Sequence, residues 1–207
     1  MKKRLGVLIS GGGTNLQAVM DAVRDGRIPA EIGIVLSDRK NAYGLIRAER
    51  SGIPTSYINR REFTDSPAFN RAILDKLKEY RVDYVVLAGY LSILSGDLVE
   101  SYPNRIVNIH PSLIPAFCGM GYYGARVHQA VLDYGAKVTG ATVHFVDEGA
   151  DTGPIILQRP VPVLPEDDAQ SLAARVLAAE HEILPKAVEL LVRGKLKVEG
   201  RKVIIED

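Results

Sequence analysis

The segment Asn108-Ile109-His110-Pro111-Ser112-Leu113 sets an amide donor and an imidazole two residues apart, with an apolar residue between them. In an extended strand residues i and i+2 share a face, so Asn108 and His110 are predicted to point one way and Ile109 the other. A fixed amide beside a titratable ring suits acyl transfer to an amine. The tetrahedral intermediate carries an oxyanion that donors can stabilise, and a proton must leave the attacking nitrogen. A lone histidine near a strand end also serves in structural hydrogen bonding, and spacing by itself does not separate the two.

Two further segments carry chemical signals. Ser10-Gly11-Gly12-Gly13-Thr14-Asn15 follows an apolar run and precedes an amphipathic one. Bare backbone leading into a helix amino terminus offers free N–H groups to an anion, and a phosphate is the natural occupant. The loop lacks the Gly-Lys-Ser/Thr ending of a nucleoside triphosphate site, and Leu16 stands where a dinucleotide fingerprint has its third glycine. A monophosphate fits better, although a tight turn explains the glycines too, and Asp38 at the end of the second apolar run keeps a ribose-binding alternative open. The other segment is His144-Phe145-Val146-Asp147-Glu148-Gly149-Ala150-Asp151-Thr152-Gly153-Pro154, with three carboxylates and two glycines that bend it. A carboxylate placed beside an imidazole favours its cation, which predicts a charged histidine near neutrality. Composition describes a solvated acidic turn equally well and does not choose among Asp147, Glu148 and Asp151. A metal at His144 and Glu148 is not expected, because the 4 histidines form no His-x-x-x-His pair and there is 1 cysteine.

The elements that must position these residues alternate along the chain. Apolar runs at 5–10, 32–37, 55–58, 84–88 and 106–109 read as strands, most without polar alternation, as in parallel strands buried on both faces. Amphipathic stretches at 15–24, 43–51, 68–79, 96–101 and 125–134 read as crossover helices. The runs at 138–146 and 154–163 are joined too closely for a parallel crossover and predict an antiparallel pair. A long helix over 169–192 and a hairpin over 196–205 complete the chain. The fold class is thus α/β, a Rossmann-like, mostly parallel mixed sheet flanked by helices, with a late antiparallel strand pair. Ligands of such sheets bind outside the carboxyl ends of the strands, where Asn108 and His110 fall.

Bulk properties bound the function. A chain of 207 residues, 46% hydrophobic and 25% charged, can bury a substantial core. The 26 basic residues balance 25 acidic ones, which gives no electrostatic pull toward nucleic acid or a membrane surface and predicts small-molecule partners. The 1 cysteine, Cys118, excludes an internal disulfide framework and fits a reducing, cytoplasmic setting. It is read as a packing thiol. The first apolar run ends at Ser10, too soon for a secretory signal.

Taken in order, SGGGTNLQA, LAGYLSILS, NIHPSLIPAF, TVHFVDEGADTGPIILQ and AAEHEILP resemble the phosphoribosylglycinamide formyltransferase family over nearly the whole chain. The resemblance implies one formyltransferase domain over 1–207, with a phosphate-binding half at 1–110 and a folate-binding, catalytic-loop half at 111–207. It implies transfer of a formyl group from 10-formyltetrahydrofolate to the amine of glycinamide ribonucleotide, with no metal or nucleotide cofactor. Asn108, His110 and Asp151 match the catalytic positions. Gly13, Thr14 and Asn15 match the substrate-phosphate loop, and Glu180 matches the acid that contacts the sugar amide. Leu91, Ser92, Ile93 and Leu94, with Asn108 and the stretch Asp147, Glu148, Gly149 and Ala150, match the folate pocket. A monomer or homodimer is expected.

Two departures from the family pattern stand out. Ser92 replaces a frequent arginine, so a guanidinium contact there is lost, and Phe117 to Gly124 is longer than the usual loop and puts Cys118 in a common proline position. Rival readings are a formyltetrahydrofolate hydrolase, whose extra amino-terminal domain has no counterpart here, and a non-enzymatic sugar-phosphate binding module. A transfer RNA formyltransferase is disfavoured by the missing carboxyl-terminal domain and the neutral charge balance.

Overall fold

The computed structural model describes residues 2–206. Nine strands and six α-helices are arranged as β1 (Lys3–Ile9), α1 (Thr14–Arg24), β2 (Ala30–Ser37), α2 (Tyr43–Arg50), β3 (Thr55–Tyr57), α3 (Ser66–Glu79), β4 (Tyr84–Leu87), α4 (Gly96–Ser101), β5 (Ile106–His110), α5 (Ala125–Tyr134), β6 (Val138–Phe145), β7 (Ile155–Pro162), α6 (Ala169–Val192), β8 (Leu196–Glu199) and β9 (Lys202–Ile205). A short 3-10 turn at Arg60–Glu62, capped by the Asn59 side chain, is the one element among the described residues that the sequence reading does not anticipate.

Seven strands form one sheet in the order β3-β2-β1-β4-β5-β6-β7. The first five are parallel, and β6 and β7 pair antiparallel, as the short connection between them requires. β8 and β9 make a separate two-stranded hairpin. The strand order reverses between β1 and β4, and the crevice at a reversal in an open α/β sheet is where ligands lodge.

Strand alternation distributes side chains to two apolar layers. Leu5, Val7 and Ile9 of β1 join the layer under α1, α2, α5 and α6, whereas Leu8 joins the one under α3 and α4. β5 obeys the same rule. Val107 and Ile109 enter the first layer and Ile106 the second, so Asn108 and His110 follow Ile106 on its face. Both lie on the wall of a cavity rather than under a helix. α6 begins with a capping box between Asp168 and Ser171 and packs against α1, β6 and β7.

Candidate functional site

Register places the first polar contacts. Asn108 lies opposite His144 across the β5–β6 pair, and His110 lies opposite Thr142. His144 Nδ1 lies 2.7 Å from the carbonyl of Phe145, an oxygen that can only accept, so the proton is assigned to Nδ1 and Nε2 becomes an acceptor. Asn108 Nδ2 donates to that Nε2 at 3.1 Å. The Asn108 amide is thereby oriented by His144, to which the sequence assigns no role beyond a metal reading it rejects. The local sign was alternation in Val143-His144-Phe145, but its pairing partner could not be read from the chain.

The connection between β6 and β7 returns along β5 and delivers Asp151. Its Oδ2 lies 3.3 Å from His110 Nδ1 and accepts from the Gly119 N–H at 2.9 Å, while Oδ1 accepts from Asn108 Nδ2 at 3.4 Å and lies 3.5 Å from His144 Nε2. The bend is sharp enough to hold Asp151 at φ 59°, a left-handed conformation that aspartate tolerates better than most residues. A Cβ at Gly153 would run into the carbonyl of Phe145, so only glycine lets the strands close under the turn. Of the other two acids, Asp147 is engaged by Gly149 N–H and Thr152 Oγ1 within the turn, and Glu148 is exposed.

The charge on His110 departs from the sequence expectation. Burial pushes its pKa below the ordinary value, and Asp151 and the Phe117 carbonyl only partly offset that, with His144 lowering it further. These surroundings therefore draw His110 toward its neutral form, where a lasting cation was expected. The correction is physical: a buried ring loses more hydration than one carboxylate at 3.3 Å restores. Yet Nε2 lies 2.9 Å from the Phe117 carbonyl and Nδ1 faces Asp151, so either neutral tautomer leaves one ring nitrogen lone pair against an oxygen. A proton arriving on this ring finds both nitrogens already facing acceptors. Burial also pushes the Asp151 carboxyl upward, but the two neighbouring imidazoles and the Gly119 N–H outweigh it and leave it below its usual value.

The glycine loop meets α1 with Gly13 at φ 71° as the N-cap. A Cβ on Gly13 would sit 2.6 Å from the Gly44 Cα, so glycine is required both by dihedral and by the approach of α2. Neither a side-chain cap nor a first-turn acid occupies this end of α1 among the described residues, which leaves its amides free for an anion. Gly11 and Gly12 border open space. Just inside, buried Asn15 donates from Nδ2 to Glu180 Oε2 at 2.6 Å, and Asn15 Oδ1 has no partner among the described residues. Burial raises the Glu180 pKa to about 7, with the Asn15 amide opposing it.

These groups share one cavity of about 630 Å³. Asn15, Asn108, His110, Asp151 and Glu180 line it, together with residues 91–94, Asp147, Gly149 and Ala150; Gly13, Thr14 and Glu148 stand outside the wall. Leu91 and Ile93 on one side and Met120, Tyr122 and Tyr123 on the other leave apolar surface exposed at its mouth. One open alternative closes here. Asp38 is a buried carboxylate accepting from Ser92 Oγ at 2.7 Å, which withdraws it from any ribose. Cys118 has its thiol pKa raised by burial and by Asp151, as befits an inert packing group.

A family model described as formyl transferase matches residues 3–188. Over 197 residues, 95% of this chain, the sequence is 40% identical to phosphoribosylglycinamide formyltransferase of Haemophilus influenzae, spanning 91% of that protein. It is 45% identical over 197 residues to the trifunctional purine biosynthetic protein adenosine-3 of Bos taurus, of which it spans only 19%. The crystal structure of glycinamide ribonucleotide transformylase 1 from Symbiobacterium toebii matches with a TM-score of 0.95 at 48% identity, covering 100% of this chain and 95% of that one. With this fold, this cavity and these relatives, the chain belongs to the phosphoribosylglycinamide formyltransferase family.

Proposed function

We propose that the chain acts as one cytoplasmic formyltransferase domain that moves the formyl group of 10-formyltetrahydrofolate to the amine of glycinamide ribonucleotide. The observation that carries this reading is the meeting of Asn108, His110 and Asp151 in the cavity that Asn15 and Glu180 also line. The substrate phosphate sits on the open amino terminus of α1, at Gly13 and Thr14. Glu180 and the unpartnered Asn15 Oδ1 take donors of the sugar amide. The folate lies between residues 91–94 and the stretch Asp147, Gly149 and Ala150, with its flat aromatic part against the apolar mouth.

The neutral amine attacks the formyl carbon, and the carbonyl electrons move onto oxygen. Asn108 donates to that oxyanion by giving up its long 3.4 Å contact with Asp151, while its bond to His144 keeps the amide aimed. His110 takes the proton lost by the amine, and its imidazolium is held between Asp151 and the Phe117 carbonyl. The proton passes to the folate N10 as the carbon–N10 bond breaks, giving formylglycinamide ribonucleotide and tetrahydrofolate. No covalent intermediate with the protein forms.

The test is the spectroscopic loss of the formyl group from 10-formyltetrahydrofolate with and without glycinamide ribonucleotide. Dependence on the amine is expected, and equal loss in water alone would replace the transferase reading by a hydrolase. Within the same assay, Asn15→Ala is expected to raise KM for glycinamide ribonucleotide about tenfold, the loss of one hydrogen bond, with kcat little changed. A defect confined to kcat would remove Asn15 from the substrate site.

A further inference from the structure

Residues 90–94, between β4 and α4, form one wall of the cavity without regular secondary structure, so side chains from elsewhere must hold them. Leu91 N–H donates to Ser10 Oγ at 2.9 Å, and Ser95 N–H donates to Asn70 Oδ1 at 3.0 Å. Between these two ties the hold is Ser92 Oγ donating to Asp38 Oδ2 at 2.7 Å, with a marginal 3.5 Å approach of Asn70 Nδ2 to the Ile93 carbonyl. Asp38 is an unusual anchor. Its side chain is 5% exposed, its Oδ1 is buried with no hydrogen-bond partner among the described residues, and Arg39 Nε comes no nearer than 4.0 Å. A buried carboxylate so thinly satisfied is costly to keep, and the formyl-transfer steps make no use of it. The Tyr90 hydroxyl is also buried without a partner among the described residues.

The geometry points to Asp38 as a positioning residue for folate binding, acting through Ser92 to hold the backbone of residues 91–94 in register with the cavity. This rests on the folate reading of that wall. Asp38 ends the β2 side of the crevice, and a charged acceptor gives the Ser92 hydroxyl a stronger tie than a neutral one would. Without the tie, four backbone units between Leu91 and Ser95 lose their central support, and the folate must order them on binding. The reacting groups sit on β5 and on the β6–β7 connection, so the effect belongs to folate affinity rather than to turnover.

Steady-state kinetics with both substrates varied test this on the wild type, Asp38→Ala, Asp38→Asn, Ser92→Ala and the double alanine variant. Asp38→Ala is expected to raise KM for 10-formyltetrahydrofolate about tenfold, as loss of a charge-assisted hydrogen bond does, with kcat and the glycinamide ribonucleotide KM within about twofold. Ser92→Ala should raise the folate KM alike, and the double variant no further. Asp38→Asn keeps a neutral oxygen acceptor and should restore part of the loss, with a folate KM between those of Asp38→Ala and the wild type. Unchanged folate KM in Asp38→Ala, a rise shared by both substrates, or no rescue by asparagine would overturn the assignment while wild-type transfer stands. Absence of amine-dependent transfer in the wild type would instead remove the folate reading, and this inference with it.

Discussion

Replacing Asp151 by asparagine is expected to lower kcat about a thousandfold while both KM values stay within about threefold, as for a group acting mainly in the transition state. A thousandfold corresponds to about 4 kcal/mol of barrier. Asparagine keeps the shape of the turn and an oxygen for the Gly119 N–H, which holds Asp151 Oδ2 at 2.9 Å. What it removes is the negative charge 3.3 Å from His110 Nδ1, just where a cation forms when the amine gives up its proton. The pH profile supplies an independent sign. Asp151 raises the His110 pKa against the dominant burial effect, so its neutralisation lowers that pKa further. The limb of kcat/KM assigned to His110 then moves to lower pH in the variant. A kcat within tenfold of wild type, or a loss expressed only in KM, would sink the role given to Asp151.

The second large effect concerns Glu180, where function and stability are expected to oppose each other. Its carboxyl pKa rises from 4.5 in the unfolded chain to about 7 in the fold, mainly through burial. The folded state therefore holds the proton more tightly than the unfolded one. Stability is greatest below the unfolded value, falls as pH rises from 4.5 to about 7, and is flat beyond. At pH 8 the buried charge costs about 3 kcal/mol by this linkage, taken as an upper limit. Glu180→Gln removes that charge and keeps an oxygen for Asn15 Nδ2, so the variant should melt several degrees higher at pH 8, at about 2–4 °C per kcal/mol for a chain this long. At pH 5 the two proteins should melt together. The same substitution should raise the glycinamide ribonucleotide KM at least tenfold, because the substrate loses an anionic acceptor. Thermal melts across pH check it, and a gain of equal size at pH 5 and pH 8 would show that burial of the charge was not its cause.

What could be read before folding follows from which rules are local. The strands, the helices and the antiparallel pair emerged within about two residues because periodicity and connection length act over short stretches. Asn108 and His110 were legible for the same reason, since alternation along β5 fixes their common side. Asp151 was different. Composition could not rank it above Asp147 or Glu148, and only family resemblance singled it out. The physical selection is made by the return of the β6–β7 connection along β5, with Asp147 tying the turn and Glu148 left exposed. Asp38 shows the converse, an alternative that only folding removes. Its position after β2 suggested a ribose partner, whereas Ser92, 54 residues away, turns it inward as an anchor.

The amino-acid sequence by itself determined the order of elements, the glycine loop at a helix amino terminus and the shared side of Asn108 and His110, because each depends on neighbours in the chain. Only the tertiary structure decided that His144 aims Asn108, that Asp151 is the acid beside His110, that burial draws the His110 pKa down, and that burial pushes the Glu180 pKa up to about 7. Partners and charge states depend on burial and on residues far apart in the chain, and both come into being when the chain folds.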